Sequence, residues 1–123
     1  MKFDAEFYRS PLGLKVYRRR FRPEGAATAG AVFVHGLGEH SGRHDRHLQL
    51  FAQQGIQCVA IDLPGHGLSD GPRGHITSME VVMNLIHENV ENLRTEVGTD
   101  RQIGLLGHSM GGYVALAFAE NYP

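Results

Sequence analysis

Gly107, His108, Ser109, Met110 and Gly111 spell G-x-S-x-G between an apolar extended run and an apolar helical one. A serine hydroxyl is a weak nucleophile until it is presented and activated. A sharp strand-to-helix turn at Ser109 would present it, leaving the hydroxyl exposed at the strand's C-terminal end. Such a turn holds the serine backbone in an unfavourable region. It also crowds the neighbouring backbone, so Gly107 and Gly111 supply room by lacking a Cβ. The N-terminus of the following helix favours negative charge developing beside the hydroxyl. The same letters also fit a glycine-rich helix start with Ser109 as a plain N-cap. A second motif argues for the chemical reading. His35-Gly36-Leu37-Gly38 follows the apolar run Ala31–Val34. Acyl transfer builds an oxyanion that needs two preorganised N–H donors. The residue after the serine, Met110, offers one, and a loop of the H-G type, at Leu37, offers the other. An ordinary glycine turn is the alternative for this loop. A dinucleotide fingerprint fails on spacing, because the third glycine position holds Ser41.

These residues need a frame, and the pattern supplies one. Phe3 to Tyr8 and Leu14 to Phe21 read as an antiparallel hairpin turning at Ser10-Pro11-Leu12-Gly13. Arg18-Arg19-Arg20 reads as a solvated strand face or edge, with a nucleic-acid patch as the remote alternative. Ala31–Val34 is apolar throughout, as a strand buried on both faces is. His44 to Gln54 predicts a helix with Leu48 and Phe51 inward and Gly55 as its stop. Ile56 to Ile61 is a strand, and Asp62 to His75 is a long Gly- and Pro-rich loop. Val82, Leu85, Ile86, Val90, Leu93 and Val97 recur at helical steps, which predicts a helix over 78–97, capped by Thr77 or Ser78 and stopped by Gly98. Ile103 to Gly107 is a fifth strand, and Met110 to Glu120 a helix, ended by Asn121-Tyr122-Pro123. Strands alternating with helices after a hairpin predict an α/β fold with a parallel sheet flanked by helices.

Composition removes other classes. Hydrophobic residues make up 41% and charged residues 20% of the 123, which is ordinary for a globular domain and too apolar for disorder. The 12 Lys and Arg nearly balance the 13 Asp and Glu, so net charge gives no reason to bind nucleic acid or an anionic membrane. No apolar run approaches the roughly 18 residues of a transmembrane segment. The acids in M-K-F-D-A-E-F argue against a signal peptide. One cysteine, Cys58, cannot form an internal disulfide, which points to cytoplasmic residence, with peripheral membrane contact left open.

The segments V-F-V-H-G-L-G-E-H-S-G-R-H, D-L-P-G-H-G-L-S-D-G and L-L-G-H-S-M-G-G resemble the α/β-hydrolase group that contains monoacylglycerol lipases, lysophospholipases and serine aminopeptidase-like hydrolases. The resemblance implies the α/β-hydrolase fold, Ser109 as nucleophile, Leu37 and Met110 as oxyanion donors, and His35 and Gly36 as residues shaping that loop. It implies no cofactor and no metal, and as substrate a small-molecule ester or lipid. The Asp62–Ser69 loop would lie beside the site in a structural role. In this group the nucleophile is followed by an Asp or Glu and then a His. Only 14 residues follow Ser109, with no His or Asp among them, and Glu120 is three helical turns away. The expectation is that residues 1–123 are the N-terminal portion of one α/β-hydrolase domain, nearly inactive alone, with cap and later strands elsewhere. A non-catalytic interaction module and a parent peptidase are the alternatives.

Upstream histidines are poor substitutes for the missing base. His108 adjoins Ser109 and should point to the opposite face. His35 is expected to order backbone, while His66 and His75 sit in a flexible-looking loop. His40, His44 and His47 have the spacing of one helical face, so a metal site is conceivable. An exposed polar helix face near its start explains them more simply. The strand 103–106 would lack its later neighbour, leaving an apolar edge open to self-association.

Overall fold

The computed structural model describes residues 1–76 and 78–122. Its chain order is β1 (Lys2–Arg9), β2 (Lys15–Arg22), β3 (Ala29–Val34), a 3-10 turn (Ser41–His44), α1 (Asp45–Gln53), β4 (Ile56–Ile61), α2 (Met79–Val97), β5 (Ile103–Gly107) and α3 (Met110–Asn121). The five strands form one sheet in the order β1-β2-β4-β3-β5. β2 is antiparallel to β1 and β4, whereas β3 runs parallel to both β4 and β5. The hairpin turn closes with Ser10 N–H donating to Leu14 O at 2.8 Å, and Gly13, at φ 87°, adopts a backbone conformation open to glycine.

The apolar strands are covered on both faces, as their lettering requires. Along β3 the side chains alternate. Val32 and Val34 join Ile61, Leu85, Ile86, Leu93, Val114 and Phe118 beneath α2 and α3. Ala31 and Phe33 join Phe21, Leu48, Ala52, Cys58 and Ala60 beneath α1. α2 spans about 28 Å, long enough to cross the sheet. Ser78 Oγ accepts from Val81 N–H at 3.3 Å, which caps its first turn, and Gly98 at φ 116° ends it. Thr77, the other cap candidate, and Pro123 lie outside the described residues.

Three expectations need correction. β2 is an inner strand, and its arginines are ion-paired rather than solvated. Arg18 bonds Glu6, Arg19 bonds Asp45, and Arg20 and Arg22 reach Asp4 and Glu96. Their neighbours on β1, α1 and α2 supply the countercharge that composition alone could not locate. Phe51 is 38% exposed rather than inward, because it overhangs the β5 side, where the sheet ends. The Asp62–His75 loop is not loose: Asp62, buried, accepts from Ser41 N–H, Ser41 Oγ and Leu68 N–H at 2.9, 2.6 and 2.9 Å. His66 is buried within it.

Candidate active site

β3 and β5 are paired in parallel register with Val34 opposite Gly107, so both end at one level. The loop after Val34 and the turn after Gly107 therefore meet. Ser109 is the link between β5 and α3. Its φ of 56° and ψ of −120° make it the sole non-glycine residue with positive φ among the described residues. Its side chain is exposed and caps nothing in α3. A plain N-cap would be extended and would accept from the helix. Ser109 does neither.

The glycines around it are sterically required. A Cβ on Gly111 would lie 2.6 Å from His35 O, and one on Gly107 would lie 2.5 Å from Gly112 Cα. Gly36 packs against the turn, where a Cβ would lie 3.1 Å from His108 O and 3.2 Å from Ser109 Cβ. His108 N–H donates to Val34 O at 3.1 Å, closing the two segments together. Among the described residues neither the Leu37 nor the Met110 N–H donates to another backbone group. Leu37 is 61% exposed at the tip of its loop, where Gly38 turns the chain at φ 75°.

His35 is buried and locks the base of this loop. Its Nδ1 lies 2.6 Å from Gly36 O and its Nε2 accepts from Leu63 N–H at 3.0 Å. That network assigns the proton to Nδ1. Burial holds the ring's pKa below the ordinary histidine value, so it stays neutral and tied to backbone.

Glu39 is a residue that sequence reasoning overlooked. Its side chain is 6% exposed. One oxygen, Oε1, meets Gly36 N–H at 2.7 Å, His44 Nε2 at 2.8 Å and His108 Nδ1 at 3.1 Å. Arg43 Nη1 donates to the other oxygen at 2.9 Å. Burial alone would raise the carboxyl; the donations from Gly36, His44 and His108 outweigh it and hold the pKa at about 2. The carboxylate thus ties the Leu37 loop, the start of α1 and the Ser109 turn to one point. His108 is turned toward Glu39, and His44 is drawn away from the predicted trio, since it shares the cluster with neither His40 nor His47. Among the described residues no other group of three metal-ligating side chains converges.

What this corner presents is an exposed serine on a positive-φ turn, packed against the loop that begins at Gly36. Among the described residues no histidine bonds to that hydroxyl. No described helix is long and apolar enough to cross a membrane.

Comparison with known proteins gives the family and the fold. Residues 25–123 match the family described as Serine aminopeptidase, S33. The chain is 34% identical over 118 residues to a monoacylglycerol lipase of Mycolicibacterium smegmatis, covering 90% of this chain and 39% of that protein. It is 40% identical to the crystal structure of the Paleococcus ferrophilus monoacylglycerol lipase, with a TM-score of 0.75 over 88% of this chain and 38% of that one. The α/β-hydrolase GrgF from Penicillium shares the fold, with a TM-score of 0.84 at 24% identity over 97% of this chain and 42% of that one. The chain spans about two fifths of the length of each of these proteins. With its parallel β4-β3-β5 core and its strand-Ser109-helix turn, the chain belongs to the Serine aminopeptidase S33 family and has the α/β-hydrolase fold.

Proposed function

We propose that this chain carries the nucleophile and oxyanion half of a serine hydrolase acting on carboxylic esters. Ser109 Oγ attacks the ester carbonyl and loses its proton to a histidine supplied from beyond residue 123. The tetrahedral oxyanion is held by the Leu37 and Met110 N–H groups. Collapse expels the alcohol, which takes up the proton, and leaves an acyl-serine for water to hydrolyse. His35, Gly36, Gly107 and Gly111 shape the backbone that makes this possible. No cofactor enters the scheme. The observation that carries it is the exposed, positive-φ Ser109 seated against Gly36 at the common end of β3 and β5. Monoacylglycerol and lysophospholipid are the favoured substrates, because relatives named for monoacylglycerol and phospholipid cleavage match 72% or more of this chain. Lone, buried Cys58, its thiol pushed up to about 12 by burial, fits residence in a reducing cytoplasm. Residues 1–123 are then the N-terminal portion of one hydrolase domain. A fluorophosphonate probe tests this. Strong labelling is expected in a longer chain that includes the later strands, trace labelling in residues 1–123, and none after Ser109→Ala. Full labelling of the longer chain carrying Ser109→Ala would overturn the assignment. If the longer chain takes no label while folded, the interaction-module reading replaces this one.

A further inference from the structure

We propose that Glu39, His44 and His108 form a binding site for a divalent transition-metal ion of the zinc type. A carboxylate oxygen and two ring nitrogens, from three separate segments, lie within 4.8 Å of one another. Two imidazoles and one carboxylate form a three-ligand donor set that leaves a fourth position open. Imidazole donors favour zinc, copper and nickel over magnesium and calcium. Bonds of about 2.0–2.1 Å in a tetrahedron separate ligand atoms by about 3.3 Å. The present separations from Glu39 Oε1, 2.8 Å to His44 Nε2 and 3.1 Å to His108 Nδ1, open to that value with a movement of about half an ångström or less.

The protons are accounted for. His44 Nε2 and His108 Nδ1 now share hydrogens with Glu39; on binding each neutral ring carries its proton on the other nitrogen. The ion takes the carboxylate and the neutral imidazoles, and any proton these groups carry beyond that is released on binding. Arg43 holds Oε2 at 2.9 Å, orienting the carboxylate while opposing the ion's charge. Gly36 N–H donates to the same Oε1 at 2.7 Å and keeps it aimed at the cluster. Access is open: His108 is 54% exposed, and both rings border a hollow of about 310 Å³ whose apolar walls include Phe33, Leu48, Phe51 and Leu106. The helical spacing of His40, His44 and His47 points to a different trio, but folding sends His44 to Glu39 and His108 instead.

The test is a zinc chloride titration of the 123-residue chain by competition with a chromogenic chelator, and it needs no turnover. One ion should bind per chain, reversibly to EDTA. Cobalt should give the visible absorption of a four-coordinate nitrogen–oxygen site. His108→Ala and His44→Ala should each weaken binding at least about tenfold, while His40→Ala and His47→Ala leave it unchanged. His108 is exposed, so its alanine variant is expected to keep the native circular dichroism and decides the matter if His44→Ala does not fold. No saturable binding, or unaltered affinity in folded His108→Ala, or dependence on His40 or His47, would overturn the site.

Discussion

Replacing Ser109 with glycine should stabilise this protein while removing its candidate nucleophile. At φ 56° and ψ −120° the residue sits where every L side chain is disfavoured. Holding a non-glycine residue in such a region costs about 1–3 kcal/mol. Glycine removes that term and gives back about 0.5–1 kcal/mol through the greater freedom of its unfolded chain. The hydroxyl caps no helix and its side chain is exposed, so little else is lost. The net gain should be about 1 kcal/mol, equivalent to a few degrees in Tm for a domain of this size. Ser109→Ala keeps the Cβ and the strain, and should match the parent within about 0.5 kcal/mol. Urea unfolding of the three proteins, followed by circular dichroism at equal concentration, gives the comparison. If Ser109→Gly proves no more stable than Ser109→Ala, the turn is not strained and the reasoning fails.

Gly111→Ala should abolish folding or solubility, since its methyl would meet His35 O at 2.6 Å, whereas Gly112→Ala, with its nearest neighbour at 3.7 Å, should fold normally; soluble yield and circular dichroism separate them. Glu39 is ionised down to about pH 2 in the folded chain, against a usual value of 4.5. Because the folded value is the lower one, its contribution is complete above about pH 4.5 and is lost as pH falls toward 2. The stability advantage of the parent over Glu39→Gln should shrink over that window in urea midpoints, and a constant difference would refute the network. β5 is an edge strand, and the exposed Leu116 and Tyr113 of the adjoining α3 widen the bare surface, so sedimentation velocity should show association rising with concentration; a monodisperse monomer with a sharp thermal transition would contradict this.

The sheet was legible because β3 and β4 are largely apolar on both faces and its longest helix repeats at three and four residues. β4 and β5 coincide with the expected spans, and α2 differs by one residue. The turn at Ser109 was legible because glycine stands two positions to either side of it, at Gly107 and Gly111. Glu39 was not: a single acid in a glycine loop carries no local pattern, and its partner His108 lies 69 positions away. The inner position of β2 was hidden for a related reason. Arginine spells an edge until its carboxylates are found, and Glu96 belongs to α2, far along the chain. Phe51 follows the helical period yet stays exposed, since periodicity marks a face without saying how far the sheet beneath it extends.

The arginine ladder of β2 has a consequence for the chain while it is being made. Asp4 and Glu6 precede Arg18, Arg20 and Arg22 in synthesis; in the same hairpin Glu6 sits opposite Arg18 and Asp4 opposite Arg20, and Asp4 also reaches Arg22. The cationic ribbon thus leaves the ribosome with a carboxylate partner already translated for Arg18, Arg20 and Arg22, while Arg19 waits for Asp45. Any polyanion it meets there must first displace a carboxylate fixed by β-pairing.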